Sequence, residues 1–73
     1  MHKVKTYTDE FNGKSYAVLM LQREEGSRWV VEASLFDETG SRMGPPWRDS
    51  ANSYANEEDA RQAGCKWAQA QLA

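Results

Sequence analysis

The chain has one cysteine, one histidine and two prolines, and no apolar run longer than the six residues Tyr16–Leu21. Each shortage closes a route. A lone Cys65 makes no internal disulfide, and one histidine without CxxC or HxxxH spacing offers no zinc-ligand set, so no metal is expected. Six apolar residues fall far short of the ~20 that a membrane helix needs, so no membrane partner is expected. No basic segment followed by an apolar one stands at the N-terminus, and with the unpaired cysteine this points to a cytoplasmic location. A Gly-rich phosphate loop, a GxSxG elbow and a metal-binding loop are all missing, so neither a cofactor nor an enzyme is expected. A strong basic excess is missing too. The net charge is −2, with 27% charged residues of both signs interspersed, which is not the footprint of a dedicated nucleic-acid binder.

What is present is a single small domain of 73 residues. Cores of this size rarely supply more than about 3–5 kcal/mol, and with disulfides and metals excluded the remaining staple is a second subunit. Turn signals cut the chain. Asn12-Gly13 is a strong two-residue hairpin signal, because both central residues of a type I′ turn need positive φ. Glu25-Gly26 and Asp37-Glu38-Thr39-Gly40 mark two more turns. The β-rich runs between them, 2–11, 14–24 and 28–37, read as an antiparallel meander. A weaker fourth at 41–44, reaching toward Trp47, is confined to an edge by Pro45-Pro46. A polar crossover over 45–55 leads to a helix over 57–71, with Asn56 as its N-cap, Asp59 completing a variant capping box, and acidic residues in its first turn. The fold class is α+β: an antiparallel meander of three or four strands with one C-terminal helix on one face.

Hairpins centred on 12–13 and 25–26 set Tyr16 opposite Asp9 and Leu35, Val18 opposite Tyr7 and Ala33, and Met20 opposite Lys5 and Val31. One face then carries Tyr7, Tyr16, Val18, Met20, Trp29, Val31, Ala33 and Leu35. The helix offers it a stripe of mostly small residues, Ala60, Ala63, Gly64, Trp67 and then Ala70 or Gln71, with Trp67 wedged among Tyr16, Met20 and Trp29. Gly64 costs about 1 kcal/mol against alanine in a helix interior, which makes sense if close approach is the gain. The other face keeps Leu19, Leu21, Val30 and Phe36, with Val4 beside them. Each apolar side chain left in water forgoes about 1.5–3 kcal/mol of burial. Either the N-terminal segment or the 45–55 loop folds over this patch, or it meets a partner, as a homodimer or with an unidentified protein.

The polar candidates carry less. His2 reads as a frayed terminus and Cys65 as a half-buried structural thiol. Asp9-Glu10, Glu24-Glu25 and Asp37-Glu38 flank turns, where solvated charge is ordinary. Glu32 points with Leu19 and Phe36; it either pairs with a partner's cation or stands at the patch rim to discourage indiscriminate pairing. The candidate protein interface is thus Val4, Leu19, Leu21, Val30, Glu32 and Phe36. A competing reading is nucleic acid held on the sheet face by Arg23, Arg28, Arg42 and Arg48 with Trp47 as a stacking side chain; Trp47 reads equally as a lid over the core edge.

Two resemblances bear on these expectations. "RWVVEASLFD" followed by "NEEDARQAGCKWAQAQL" resembles the AP2-like DNA-binding domain, through Trp29, Val30 and Glu32 in the strand and Glu57, Glu58 and Ala60 at the helix start. It implies a three-stranded sheet reading the DNA major groove through arginines; here "YAVLML" holds the place of the arginine-bearing strand. Tyr54, Glu57, Glu58 and Ala60 also resemble the helix entry of small uncharacterised bacterial proteins built from a β-meander and a closing Ala-rich helix. That likeness implies a fold and no activity.

Overall fold

In the computed structural model, residues 3–73 are described; His2 lies outside them. The strands are β1 (Lys3–Phe11), β2 (Lys14–Gln22), β3 (Trp29–Phe36) and β4 (Trp47–Arg48), followed by helix α1 (Glu57–Leu72). They form one antiparallel sheet in the order β1-β2-β3-β4, an α+β arrangement with the helix packed on β2 and β3. Among the described residues no helix is long and apolar enough to cross a membrane.

The first turn sets the register. Asn12 and Gly13 take φ values of 54° and 79°, the left-handed pair that a two-residue type I′ hairpin requires. All nine residues of β1 pair with β2 without a bulge. Tyr16 stands opposite Asp9 and Leu35, Val18 opposite Tyr7 and Ala33, and Met20 opposite Lys5 and Val31, as expected. The second hairpin keeps that register but stops pairing at Gln22–Trp29. Its loop is therefore 23–28 rather than a tight turn at Glu25-Gly26. Ser27 N–H bonds Glu24 C=O at 2.9 Å, and Gln22 Nε2 donates to Ser27 C=O at 2.9 Å, which closes the loop.

The fourth strand differs from the sequence expectation. Residues 41–44 contribute only an isolated bridge between Arg42 and Phe36, while the short β4 begins after the prolines, inside the segment read as crossover. Asp37 explains the displacement. Its Oδ1 accepts the Thr39 hydroxyl at 2.6 Å and the backbone N–H groups of Thr39 and Ser41, both at 2.9 Å. That closed turn lets the chain touch β3 once at residue 42 before Pro45 and Pro46, which lack an N–H, postpone further pairing.

The core is the face expected: Tyr16, Val18, Met20, Trp29, Val31 and Ala33 are buried against Ala60, Ala68 and Leu72. The helix stripe is corrected. After Ala60 and Gly64 it runs through Ala68 and Leu72, whereas Ala70 and Gln71 are exposed. Gly64 is the cause. A Cβ there would lie 2.5 Å from Val18 Cγ1 and 2.9 Å from Val31 Cγ2, so the bare backbone seats on the two valines and neighbours at four-residue intervals follow. Trp67 is half-buried against this core rather than inside it, and its ring stacks on Trp47, ring centroids 4.8 Å apart and planes within 7°. The helix ends are fixed by Asn56 Oδ1, which accepts Asp59 N–H at 2.8 Å, and by Asn12 Nδ2, which donates to Leu72 C=O at 2.9 Å.

Candidate interaction face

Strand β2 alternates strictly. Tyr16, Val18 and Met20 are buried under the helix, while Ala17, Leu19 and Leu21 point the other way and remain half-buried. The register carries that second set across the sheet in rows. Val4, Leu21 and Val30 lie side by side on β1, β2 and β3, and the next row is Thr6, Leu19 and Glu32. Val4 is 48% exposed, and neither it nor Leu19, Leu21 or Val30 joins the core cluster or packs against it. The only helix among the described residues lies on the opposite face. The four aliphatic side chains thus form one block toward the 23–28 end of the sheet.

Phe36 does not belong to that block. It sits six residues from Val30 on β3, about 20 Å away at strand rise, with the Ala17–Ser34 row between. The Arg42 guanidinium lies 6.0 Å from the centre of its ring. Period-two alternation assigns a face but not a position along it, and so does not separate Phe36 from the residues at the far end. Glu32 finds its partner within the chain: Arg48, opposite it on β4, donates from Nη2 to Oε2 at 3.3 Å.

The cations expected to grip nucleic acid are not gathered into one site. Arg28 is tied to Ser53, donating to its hydroxyl and its backbone C=O, both at 2.7 Å. Arg42 covers Phe36, Arg48 pairs with Glu32, and Arg23 stands exposed in the 23–28 loop. Trp47 spends one ring face on Trp67. Cys65 is half-buried against the core.

Sequence reasoning missed one polar centre. The stretch "WRDSANSYA" reads as a plain crossover, yet Asp49 is buried within it. Its carboxylate accepts the Tyr54 hydroxyl at 2.6 Å, Asn52 N–H at 3.1 Å and Asn52 Nδ2 at 3.2 Å. Asp49 N–H reaches Val31 C=O at 3.1 Å, and Tyr54 exchanges two backbone bonds with Trp29, at 2.7 and 2.8 Å. The segment therefore finishes the β3 edge and seals it. The Asp-x-x-Asn spacing, at which an aspartate side chain accepts the backbone N–H three residues on, was the available signal.

Hydrogen bonding from Tyr54, opposed by burial and aided by Asn52, holds the Asp49 carboxyl below the usual carboxylate range. The same bond, with burial, pushes Tyr54 up to about 12. The signs run in opposite directions. The Tyr54 contribution to stability is whole below its unfolded value near pH 10 and is lost as pH rises through about 12. The Asp49 contribution is present above its unfolded value, about 4, and is lost as pH falls through the lowered folded value. Tyr54→Phe is expected to cost about 1.5–3 kcal/mol at neutral pH, the worth of a hydrogen bond to a charged group. It should also shrink the fall in urea midpoint between pH 10 and 12. A smaller fall should persist, because Tyr16, by burial, and Tyr7, by its bond to Asp9, are raised too.

Comparison of the chain with protein-family models, curated proteins and solved structures finds no match. The face and its chemistry are therefore what bear on function.

Proposed function

We propose that this chain is a non-enzymatic interaction module that associates with a second copy of itself through the sheet face opposite the helix. The observation that carries the reading is the Val4–Leu21–Val30 row with Leu19 beside it, aliphatic, outside the core, and on the face that the helix leaves open. A second copy suits the rim. An isologous contact brings residue i to j and j to i, and a rim that carries both signs, as Glu32 and Arg48 do, faces its own copy without forcing like charges together. Three strands of eight or nine residues and the two-residue β4, at about 4.8 Å spacing and about 3.3 Å rise, give roughly 450 Å² of open face in plan. Two copies bury about 900 Å², below the size of a standard specific interface, which fits a weak, reversible contact. The unpaired, half-buried Cys65 suits a reducing compartment such as the cytoplasm.

Amide NMR spectra at low and high protein concentration test this. The resonances of Leu19, Leu21, Val30 and Glu32 are expected to move with concentration, while those of Gln62 and Lys66, exposed on the helix, stay fixed. Concentration-independent spectra would remove the proposal. So would spectra that change only on adding an oligonucleotide at low salt, with shifts confined to 23–28 and 42–48; that pattern belongs to the competing nucleic-acid reading.

A further inference from the structure

The two edges of the sheet are treated very differently. At the β4 edge the strand is two residues long, follows two prolines, and gives way to the Asp49–Tyr54 segment that bonds back to β3. At the β1 edge nothing comparable exists among the described residues: nine consecutive residues run without bulge or proline, and all but Tyr7 and Phe11 are exposed. A two-residue turn closes on a hydrogen-bonded pair, here Phe11–Lys14, and bonded and unbonded pairs alternate from there. The N–H and C=O groups of Val4, Thr6 and Thr8, and the C=O of Glu10, therefore point away from β2 as an open ladder, the Glu10 N–H being taken by Asp9 Oδ1. Such a long free edge is a template for another strand.

The charges along it select the strand. Lys3 and Lys5 occupy the first half of β1, Asp9 and Glu10 the second. A parallel in-register copy would set lysine on lysine and acid on acid; an antiparallel copy sets the halves against their opposites. We infer that β1 is a second contact surface, separate from the sheet face, at which two copies of this chain pair antiparallel about a two-fold axis through Tyr7. In that register Thr6 stands opposite Thr8, Lys5 opposite Asp9 and Val4 opposite Glu10, each twice. Lys5–Asp9 falls on an unbonded pair, where opposed side chains come closest. Asp9 is already held in place, accepting Glu10 N–H at 2.8 Å and the Tyr7 hydroxyl at 3.1 Å. The two-fold axis lies normal to the sheet, so both helices share one side and the sheet continues through eight strands, twice the four of one chain. The lysines that admit this partner also repel strands lacking acids at the matching positions.

The test is a register-specific cross-link in a Cys65→Ala background. Tyr7→Cys places the two thiols on the axis, with Cα atoms about 4.5 Å apart, inside the range a disulfide spans. Glu10→Cys, opposite Val4, leaves its thiols about 20 Å apart. Mild oxidation should convert Tyr7→Cys to a covalent dimer at least tenfold faster than Glu10→Cys. Adding Thr8→Pro, which removes an outward N–H and leaves the β1–β2 ladder intact, should bring the rate down to that of Glu10→Cys. Equal rates for the two cysteines, or indifference to Thr8→Pro, would overturn the inference. The wild-type chain gives a second reading that needs no new cysteine. Exchange of the outward amides of Thr6 and Thr8 should slow at least tenfold from low to high concentration, and unchanged exchange would also overturn it.

Discussion

Replacing Gly64 by alanine is expected to destabilise the protein by about 1–3 kcal/mol, the usual cost of overpacking a filled core. On an exposed helix the same change would stabilise by about 1 kcal/mol, so the sign itself is informative. The new methyl would fall 2.5 Å from Val18 Cγ1 and 2.9 Å from Val31 Cγ2. Both valines are 0% exposed and stand on the two central strands. Their branched side chains have few rotamers through which to retreat, so the helix must lift, loosening Ala60, Ala68 and Leu72 with it. Gly64→Val should go further and leave the chain unfolded, since a domain of this size has only about 3–5 kcal/mol to lose. Combining Gly64→Ala with Val18→Ala should give a double mutant about 1–2 kcal/mol more stable than the sum of the single costs, the coupling of residues in contact. Urea unfolding of the wild type, the three single mutants and the double mutant reads all of this. A Gly64→Ala variant that gained stability would mean the helix does not rest on the valines.

Placing lysine at both Leu19 and Val30 is expected to weaken association through the open face at least 100-fold, or about 2.8 kcal/mol, while leaving the fold intact. Each site contributes about 1.5–3 kcal/mol when an apolar side chain is buried there, and two-fold symmetry presents each change twice. The ammonium groups add a desolvation cost on burial. The experiment belongs in the Thr8→Pro background, where edge pairing is suppressed and only the face is left to associate. Neither Leu19 nor Val30 joins the core cluster, so the urea midpoint should change little. Val31→Lys, one residue away and 0% exposed, should unfold the chain. Loss of folding on Leu19→Lys with Val30→Lys would instead make the patch part of the core.

The strand register, the two faces and the helix N-cap were all legible in the sequence, because each rests on local chemistry. Asn12-Gly13 dictates a two-residue turn, and period two then assigns every side chain from Lys3 to Phe36 to a face. Even the longer 23–28 loop left the β2–β3 register unchanged, since pairing simply stopped symmetrically short of Glu25-Gly26. What was not legible depends on how elements meet. Helical periodicity identified Gly64 and Ala60, but the continuation through Ala68 and Leu72 follows from where the Gly64 backbone seats on Val18 and Val31. Trp67 sits half-buried at the edge of the core, stacked on Trp47, a partner on β4 that the helix sequence does not announce. The Asp49–Tyr54 bond joins residues whose separate propensities say only "turn". For the interaction face, alternation found Val4, Leu19, Leu21 and Val30. It also drew in Phe36, whose distance along β3 and cover by Arg42 are three-dimensional facts.

The central claim is that the face opposite the helix is a contact surface between copies of this chain. Sedimentation equilibrium of the Thr8→Pro protein, from low micromolar to millimolar concentration, tests it most directly. A reversible monomer–dimer equilibrium is expected, reverting to monomer when Leu19→Lys and Val30→Lys are added. A folded Thr8→Pro protein that stays strictly monomeric across the whole range would contradict it.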